Sequence, residues 1–351
     1  MANPCATASD HIVEDAYKAL GISPNADGSM NRENRIPTVN ATPQVDDPTQ
    51  PPIALSKDIH LNPLTKTFIR LFRPVNPPPN TKLPLIIYLH GGDFVLFSVS
   101  TIVFHNFCND VAAQIPAIVA SVDYRHAPEN RLPAAYEDAM DAILWAKYQA
   151  LGGHTTTVDP WIHEYADFSR VFLLGSAAGG NIAYHAALNA LDFDLEPIKI
   201  QGLILNQPYF GGVQRTESEL RLIDDDFVPL YANDVLWTLA LPENASRDHE
   251  FANPLTGGSY LGRASRLPRC MVKGNSGDPL VDREKQLVKL LESNGVSVIS
   301  LFVDGGYHSV ELSNTTAAQE LYDAVKDFIS STVATTIQAC DAFESTNICP
   351  L

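Results

Sequence analysis

The run Phe172-Leu173-Leu174-Gly175-Ser176-Ala177-Ala178-Gly179-Gly180-Asn181 limits what this chain can fold into more than any other stretch. Its apolar start reads as a buried strand, its glycines bracket a sharp bend, and a helical pattern from Asn181 to Ala190 follows at once. Glycines on both sides of a bend let two backbone segments approach with no Cβ between them. A strand that turns this tightly into a helix is half of a βαβ unit, which predicts further strands lying parallel to it.

The rest of the chain keeps that rhythm. Leu85-Ile86-Ile87-Tyr88-Leu89 is a continuous apolar run of the kind found in a strand buried on both faces. Phe68 to Phe72 alternates as a strand, Phe104 to Ile115 reads as a helix, Ala117 to Val122 as a strand, and Pro133 to Tyr148 as an amphipathic helix. Lys199 to Leu205, Arg269 to Lys273 and Val296 to Val303 are further strands, and a helix from about Ala317 to Ile329 closes the series. Such alternation predicts an α/β fold over residues 61–330, with one mostly parallel central sheet flanked by helices. Residues 1–60 are polar and punctuated by Pro, Asn and Asp, with one short helical candidate from Asp10 to Tyr17, and are expected to form a lid segment. Between about 211 and 268 the rhythm breaks, with an acidic loop at Asp224-Asp225-Asp226 and an apolar helix from Val235 to Ala240; this insertion is expected to contribute to the lid. Residues 331–351 are small and polar, and are expected to be a weakly ordered tail.

Composition narrows the functional classes. The chain has 351 residues, enough for a large core, and its 45% hydrophobic and 19% charged residues exclude a disordered or fibrous protein. The formal charge of -17 would repel phosphate backbones and anionic lipid, so neither nucleic acid nor a membrane is expected as a partner. Five scattered cysteines without a C-x-x-C spacing read as reduced thiols, not as a zinc or redox site. With no basic start and no apolar run of membrane-spanning length, the expectation is a soluble cytoplasmic protein, monomer or homodimer, with no metal or organic cofactor.

Three loops carry the residues that could do chemistry. His90-Gly91-Gly92-Asp93-Phe94 follows the strand ending at Leu89, and glycines at the C-terminal edge of an open α/β sheet let backbone N–H groups approach a ligand. Asp278 lies just beyond the strand ending at Lys273, and His308 just beyond the one ending at Val303. A lone loop aspartate or histidine would be unremarkable. The order of elbow position, acid and histidine, each after a strand, is that of the α/β-hydrolase triads.

Four ordered motifs add a resemblance: His90-Gly91-Gly92-Asp93-Phe94, Ser121 to Glu129 (SVDYRHAPE), Arg131 to Ala139 (RLPAAYEDA) and Gly179 to His185 (GGNIAYH). In these the chain resembles the plant carboxylesterases of the hormone-sensitive-lipase-like branch of the α/β-hydrolase superfamily, over about residues 60–330. The resemblance implies an α/β-hydrolase fold with a helical lid and a small-molecule ester as substrate. It further implies an oxyanion hole of the Gly92, Asp93 and Ala178 N–H groups, with Asp278 as acid and His308 as base. Asp282 is a rival for the acid, but Asp278 lies closer to its strand end, as the family pattern requires. Phe94, Phe97, Trp237 and Leu239 are the substrate-wall candidates for a hydrophobic ester, or else plain core.

The chain departs from that family at two places that matter. The third glycine of the family's loop is Asp93, whose carboxylate is expected to point away from the oxyanion. At the elbow, Ala177 stands where the family has its nucleophilic serine, and a methyl group cannot form an acyl-enzyme. Ser176 is no substitute, because neighbouring side chains at a strand end point to opposite faces. Three readings stay open. One is an inactive Ser→Ala form, at position 177, of an esterase acting on a small or medium hydrophobic ester such as a plant specialised metabolite. The others are a lyase, cyclase or acyltransferase built on the same scaffold, and a non-catalytic ligand-binding receptor.

Overall fold

The apolar runs become the middle of an eight-stranded sheet. The computed structural model describes residues 8–33, 35–152 and 158–344. Its strands are β1 (Ile22–Pro24), β2 (Met30–Arg32), β3 (Ala54–Asn62), β4 (Thr67–Pro74), β5 (Leu83–Leu89), β6 (Ile118–Asp123), β7 (Ala166–Ser176), β8 (Ile200–Asn206), β9 (Cys270–Asn275) and β10 (Val298–Val303). Its helices are α1 (Ala8–Leu20), α2 (Ile102–Gln114), α3 (Ala134–Ala150), α4 (Pro160–Tyr165), α5 (Ala178–Ala190), α6 (Glu217–Arg221), α7 (Leu230–Ala240), α8 (Gly258–Leu261), α9 (Val281–Ser293) and α10 (Thr315–Glu344).

The sheet runs in the order β10-β9-β8-β7-β5-β6-β4-β3. From β10 to β6 every neighbour is parallel, and β4 and β3 close the other edge as antiparallel strands. Period-two alternation sorts the core into two layers. Leu85, Ile87 and Leu89 of β5 join the layer that includes Ala135, Tyr136 and Ile143 of α3 and Ile182 of α5. Ile86 and Tyr88 join the opposite layer, under Phe104 and Phe107 of α2 and Leu321 and Phe328 of α10. Every residue of β5 is buried, which is why it reads as an unbroken apolar run.

The strand order sets the place of the site. After β5 the chain crosses to β6 on one side, then returns to lay down β7 on the other. The loops leaving the C-terminal ends of β5 and β7 therefore start side by side and diverge, opening a crevice where such sheets bind their ligands.

Some elements lie outside the sequence expectations. The β1–β2 hairpin is too short, and α9 too polar along one face, to stand out as a pattern. Ala54 to His60 belong to β3 at the sheet edge, so the first 60 residues are not all peripheral. The remainder of that segment includes α1, which packs on α7 of the insertion. Helix α10 continues to Glu344, and residues 345–351 of the expected tail lie outside the described residues. Among the described residues no helix is long and apolar enough to cross a membrane.

Candidate active site

At the end of β7 the chain makes the bend anticipated from its glycines. Ala177 takes φ 49° and ψ -120°, a left-handed backbone that a non-glycine residue holds only when its surroundings enforce it. The enforcement is visible. A Cβ on Gly175 would lie 2.0 Å from the Gly179 carbonyl oxygen, and one on Gly179 would lie 1.8 Å from that of Leu89. The Ala177 N–H donates to Asn206 O at 3.0 Å, and its carbonyl accepts from Tyr209 N at 2.9 Å, tying the bend to the end of β8. Ser176 is buried on the far side, where its Oγ accepts a long hydrogen bond of 3.4 Å from the Tyr88 hydroxyl.

The two loops expected to supply an acid and a histidine do meet. His308 Nδ1 donates to Asp278 Oδ2 at 2.7 Å, with both side chains buried. Asp278 Oδ1 accepts from Leu280 N at 2.8 Å. Burial alone would push the His308 imidazole down, but the charge and hydrogen bond of Asp278, helped by Asp93 and Glu311, hold its pKa up at about 9. Asp282 is elsewhere engaged: its Oδ2 accepts from Ser218 N at 2.9 Å on α6.

Gln207 is a member of this cluster that the sequence reading missed. Its Nε2 donates to Asp278 Oδ2 at 3.1 Å and to Tyr307 O at 3.0 Å, while its Oε1 accepts from Ser309 N at 2.9 Å. One amide thus braces the acid and both neighbours of His308. The available signal was a buried amide just past a strand end, at Asn206-Gln207-Pro208.

The β5 loop reaches the same spot from the other side. A Cβ placed on Gly91 would sit 3.3 Å from the Ala177 Cβ. His90 anchors this loop: its Nδ1 donates to Gly91 O at 2.7 Å, and its carbonyl accepts from Tyr124 Oη at 2.9 Å. Burial brings the His90 pKa down to about 4, so its ring is neutral and structural. The N–H groups of Gly92, Asp93 and Ala178 donate to no carbonyl found among the described residues.

Asp93 follows Gly92 in this turn. It is enclosed, with only part of its surface accessible, and it lies within electrostatic reach of His308. Burial raises its pKa to about 6, with His308 opposing that rise. Its own backbone, at φ 55°, is left-handed.

The chain matches the family described as the alpha/beta hydrolase fold over residues 86–312. It is 44% identical over 324 residues to probable carboxylesterase 8 of Arabidopsis thaliana, covering 92% of this chain and 95% of that protein. It is 50% identical over 281 residues to 3-O-acetylpapaveroxine carboxylesterase CXE2 of Papaver somniferum, covering 78% and 90%. The chain belongs to the plant carboxylesterases of the α/β-hydrolase fold. A solved esterase from Pyrobaculum calidifontis shares that fold at TM-score 0.64 and 22% identity, over 96% of this chain and 95% of the other.

On this carboxylesterase scaffold the aromatic candidates separate. Trp237 is buried and stacked on Tyr209 at 4.6 Å, and Phe94 is buried against both rings. Leu239 is also buried, whereas Phe97 is exposed. Phe97 lines a cavity of about 490 Å³ together with Leu20, Thr38, Thr101 and His126, between the N-terminal segment and the β5 loop. Arg32 of β2 crosses the same junction. Its Nε donates to Val95 O at 2.6 Å and its Nη2 to Ala127 O at 2.7 Å, while both Nη atoms grip Glu129 at 2.9 and 2.6 Å.

Proposed function

We propose that the chain carries the site of a carboxylic ester hydrolase in which residue 177 is the attacking position. With Ala177 there, the site holds an ester but forms no acyl-enzyme. What supports this reading is the His308–Asp278 couple at 2.7 Å, tied through Gln207 to the end of β8, where Asn206 O accepts from Ala177 N, together with the unpaired N–H groups of the β5 and β7 turns. With a serine at 177, its Oγ attacks the acyl carbon while His308 Nε2 takes the hydroxyl proton, and Asp278 steadies the imidazolium that results. The N–H groups of Gly92, Asp93 and Ala178 stabilise the oxyanion, each by about 3 kcal/mol. His308 then returns the proton to the leaving alcohol, the C–O bond breaks, and water repeats the sequence on the acyl group. Without the nucleophile, the hole and binding alone supply about 10³- to 10⁴-fold over water.

The names of the relatives support ester hydrolysis, one of them as a carboxylesterase of 3-O-acetylpapaveroxine. A small or medium hydrophobic ester from plant specialised metabolism is the substrate class proposed here, entering beneath a lid made of α1 and the insertion around α7. Phe97, exposed at the cavity under that lid, is the wall residue this reading favours. The test is Ala177→Ser. It should give turnover of p-nitrophenyl butyrate and labelling by a fluorophosphonate, both absent with alanine. A folded Ala177→Ser protein that does neither sinks the proposal.

A further inference from the structure

We infer that Glu311 is a positioning residue for His308, which it ties through Asn206 to the strand end that also holds Ala177. The inference rests on the reading of Ala177, Asp278 and His308 as an ester-hydrolase site and names a residue that sets its geometry. Asn206, the last residue of β8, is bonded in two directions. Its carbonyl accepts from Ala177 N at 3.0 Å, and its Nδ2 donates to Glu311 Oε1 at 2.7 Å. Glu311 stands three residues after His308 in a closed turn, where Val310 N donates to Tyr307 O at 3.3 Å and Leu312 N to Ser309 O at 3.0 Å. One residue of β8 therefore couples the elbow to the histidine turn.

The bond lies where apolar packing would serve the core as well. Asn206 is in register with Ser176 of β7 and Lys273 of β9, and all three are buried. Registered neighbours in a sheet point to one face. Two residues back on that face, Leu174, Ile204 and Met271 belong to the apolar layer under α2 and α10. A buried polar row costs free energy unless it is paired, so the end of this face is polar for a reason other than packing. The reason is visible in the histidine turn. Gln207, on the opposite face of the strand end, holds that turn at Tyr307 O and Ser309 N. Two attachments on one amide leave the turn free to pivot about them, and a third at Glu311, offset from both, stops the rotation.

The tie and the charge of Glu311 can be separated. Glu311 Oε2 and Asn206 Oδ1 are buried acceptors without a donor among the described residues. Glu311→Gln keeps an acceptor toward Asn206 Nδ2 and sets an NH₂ donor where Oε2 stands, so it preserves the tie and removes the charge. Glu311→Leu removes both. The charged groups around the pair are few. His308 faces the carboxylates of Asp278, Asp93 and Glu311, and Lys273 and His308 oppose the rise that burial imposes on the Glu311 carboxyl. Burial holds the Tyr88 and Tyr322 phenols above their usual range, so both stay neutral.

In the Ala177→Ser protein, Glu311→Leu should lower kcat for p-nitrophenyl butyrate on its alkaline plateau about a hundredfold, the cost of misplacing a reacting group by about 1 Å. Glu311→Gln should recover most of that loss. The inflection of the pH profile should move to lower pH in both variants, because both lose a carboxylate near His308. Asn206→Ser, too short to reach Glu311, should reproduce the slow plateau from the other end of the tie and serves where Glu311→Leu does not fold. A plateau as fast as the parent's in the broken-tie variants, or Glu311→Gln as slow as Glu311→Leu, overturns the inference. The unmodified chain gives a second reading that needs no turnover: the proton NMR signal of His308 Nδ1–H, held by Asp278, should stay sharp in Glu311→Gln and broaden by exchange with water in Glu311→Leu or Asn206→Ser. A signal that none of the variants broadens overturns the inference even if Ala177→Ser is silent. A silent Ala177→Ser protein alongside the expected broadening overturns the ester reading alone.

Discussion

At the bend after β7 the backbone is fixed by contacts that leave no room for a side chain on either flanking glycine, whereas the turn after β5 accommodates a carboxylate at Asp93 and leaves the N–H groups of Gly92 and Asp93 without a carbonyl partner among the described residues. On the proposed reading, the first turn keeps the shape that presents a nucleophile while Ala177 offers no oxygen. On the same reading, the second offers backbone donors and carries the Asp93 charge beside them. The contrast teaches where each turn would store the proposed function: in one side chain at position 177, and in the main chain at Gly92 and Asp93. A side-chain function disappears with one substitution, while a main-chain function tolerates a new side chain.

The largest test of that contrast lies at the elbow. Once Ala177→Ser restores an oxygen, adding His308→Ala should lower kcat/KM for p-nitrophenyl butyrate by about 10⁴-fold or more, because the members of such a site act as a unit. Retention of a hundredth of the activity would separate His308 from the chemistry. Next in size is the steric side of the comparison. Gly179→Ala should cost about 3 kcal/mol in urea unfolding, since its Cβ would strike the Leu89 carbonyl oxygen, which cannot swing aside. Asp93→Gly should change stability by no more than about 1 kcal/mol, because glycine suits φ 55° and no hydrogen bond is lost. Equal costs at the two positions would erase the distinction drawn between the turns.

The Asp93 charge also acts on His308. Burial would lower the His308 pKa, yet Asp278, Asp93 and Glu311 together raise it to about 9, so the imidazole is protonated at pH 7 and becomes a base only as pH climbs. In Ala177→Ser, kcat/KM should therefore be about a hundredfold lower at pH 7 than on its alkaline plateau, a factor of ten for each unit below the pKa. Asp93→Asn removes one of the carboxylates that raise the pKa, and the inflection should move toward lower pH. A pH profile that Asp93→Asn leaves unmoved would disconnect the two turns electrostatically.

How much of this was legible in the sequence follows from which forces are local. The bend at Gly175 to Gly180 and the buried run of β5 declare themselves because strand and turn chemistry act between neighbours in the chain. The pairing of Asp278 with His308 was readable from their order along the strands, since topology fixes which loops share an edge. Gln207 was not readable: a brace across two other loops has no periodicity and no spacing to betray it. The surroundings of the Asp93 side chain were not readable, because the groups within electrostatic reach of it, Tyr124, Tyr209 and His308, come from different loops. The β1–β2 hairpin escaped notice because each strand has three residues, fewer than any alternation needs.

That hairpin bears on the smallest of the expected effects. Arg32, at the end of β2, joins a peripheral segment to the β5 turn by one hydrogen bond to Val95 O, and Val95 N in turn donates to Gly92 O at 2.9 Å. Its other contacts, to Glu129 and Ala127, hold the guanidinium in place rather than the turn. Arg32→Ala in the Ala177→Ser background should therefore loosen the donors at Gly92 and Asp93 without removing them, lowering kcat about tenfold with KM little changed. Arg32→Lys keeps the charge toward Glu129 but cannot fork to Val95 and Ala127 at once, so it should recover only part of the loss. A merely structural role predicts that kcat follows the melting temperature across the three proteins. If instead Arg32→Lys melts like the parent yet stays slow, the hairpin is acting on the turn whose function lies in its backbone, and the elbow, locked by its own glycines, should show no matching dependence on Arg32.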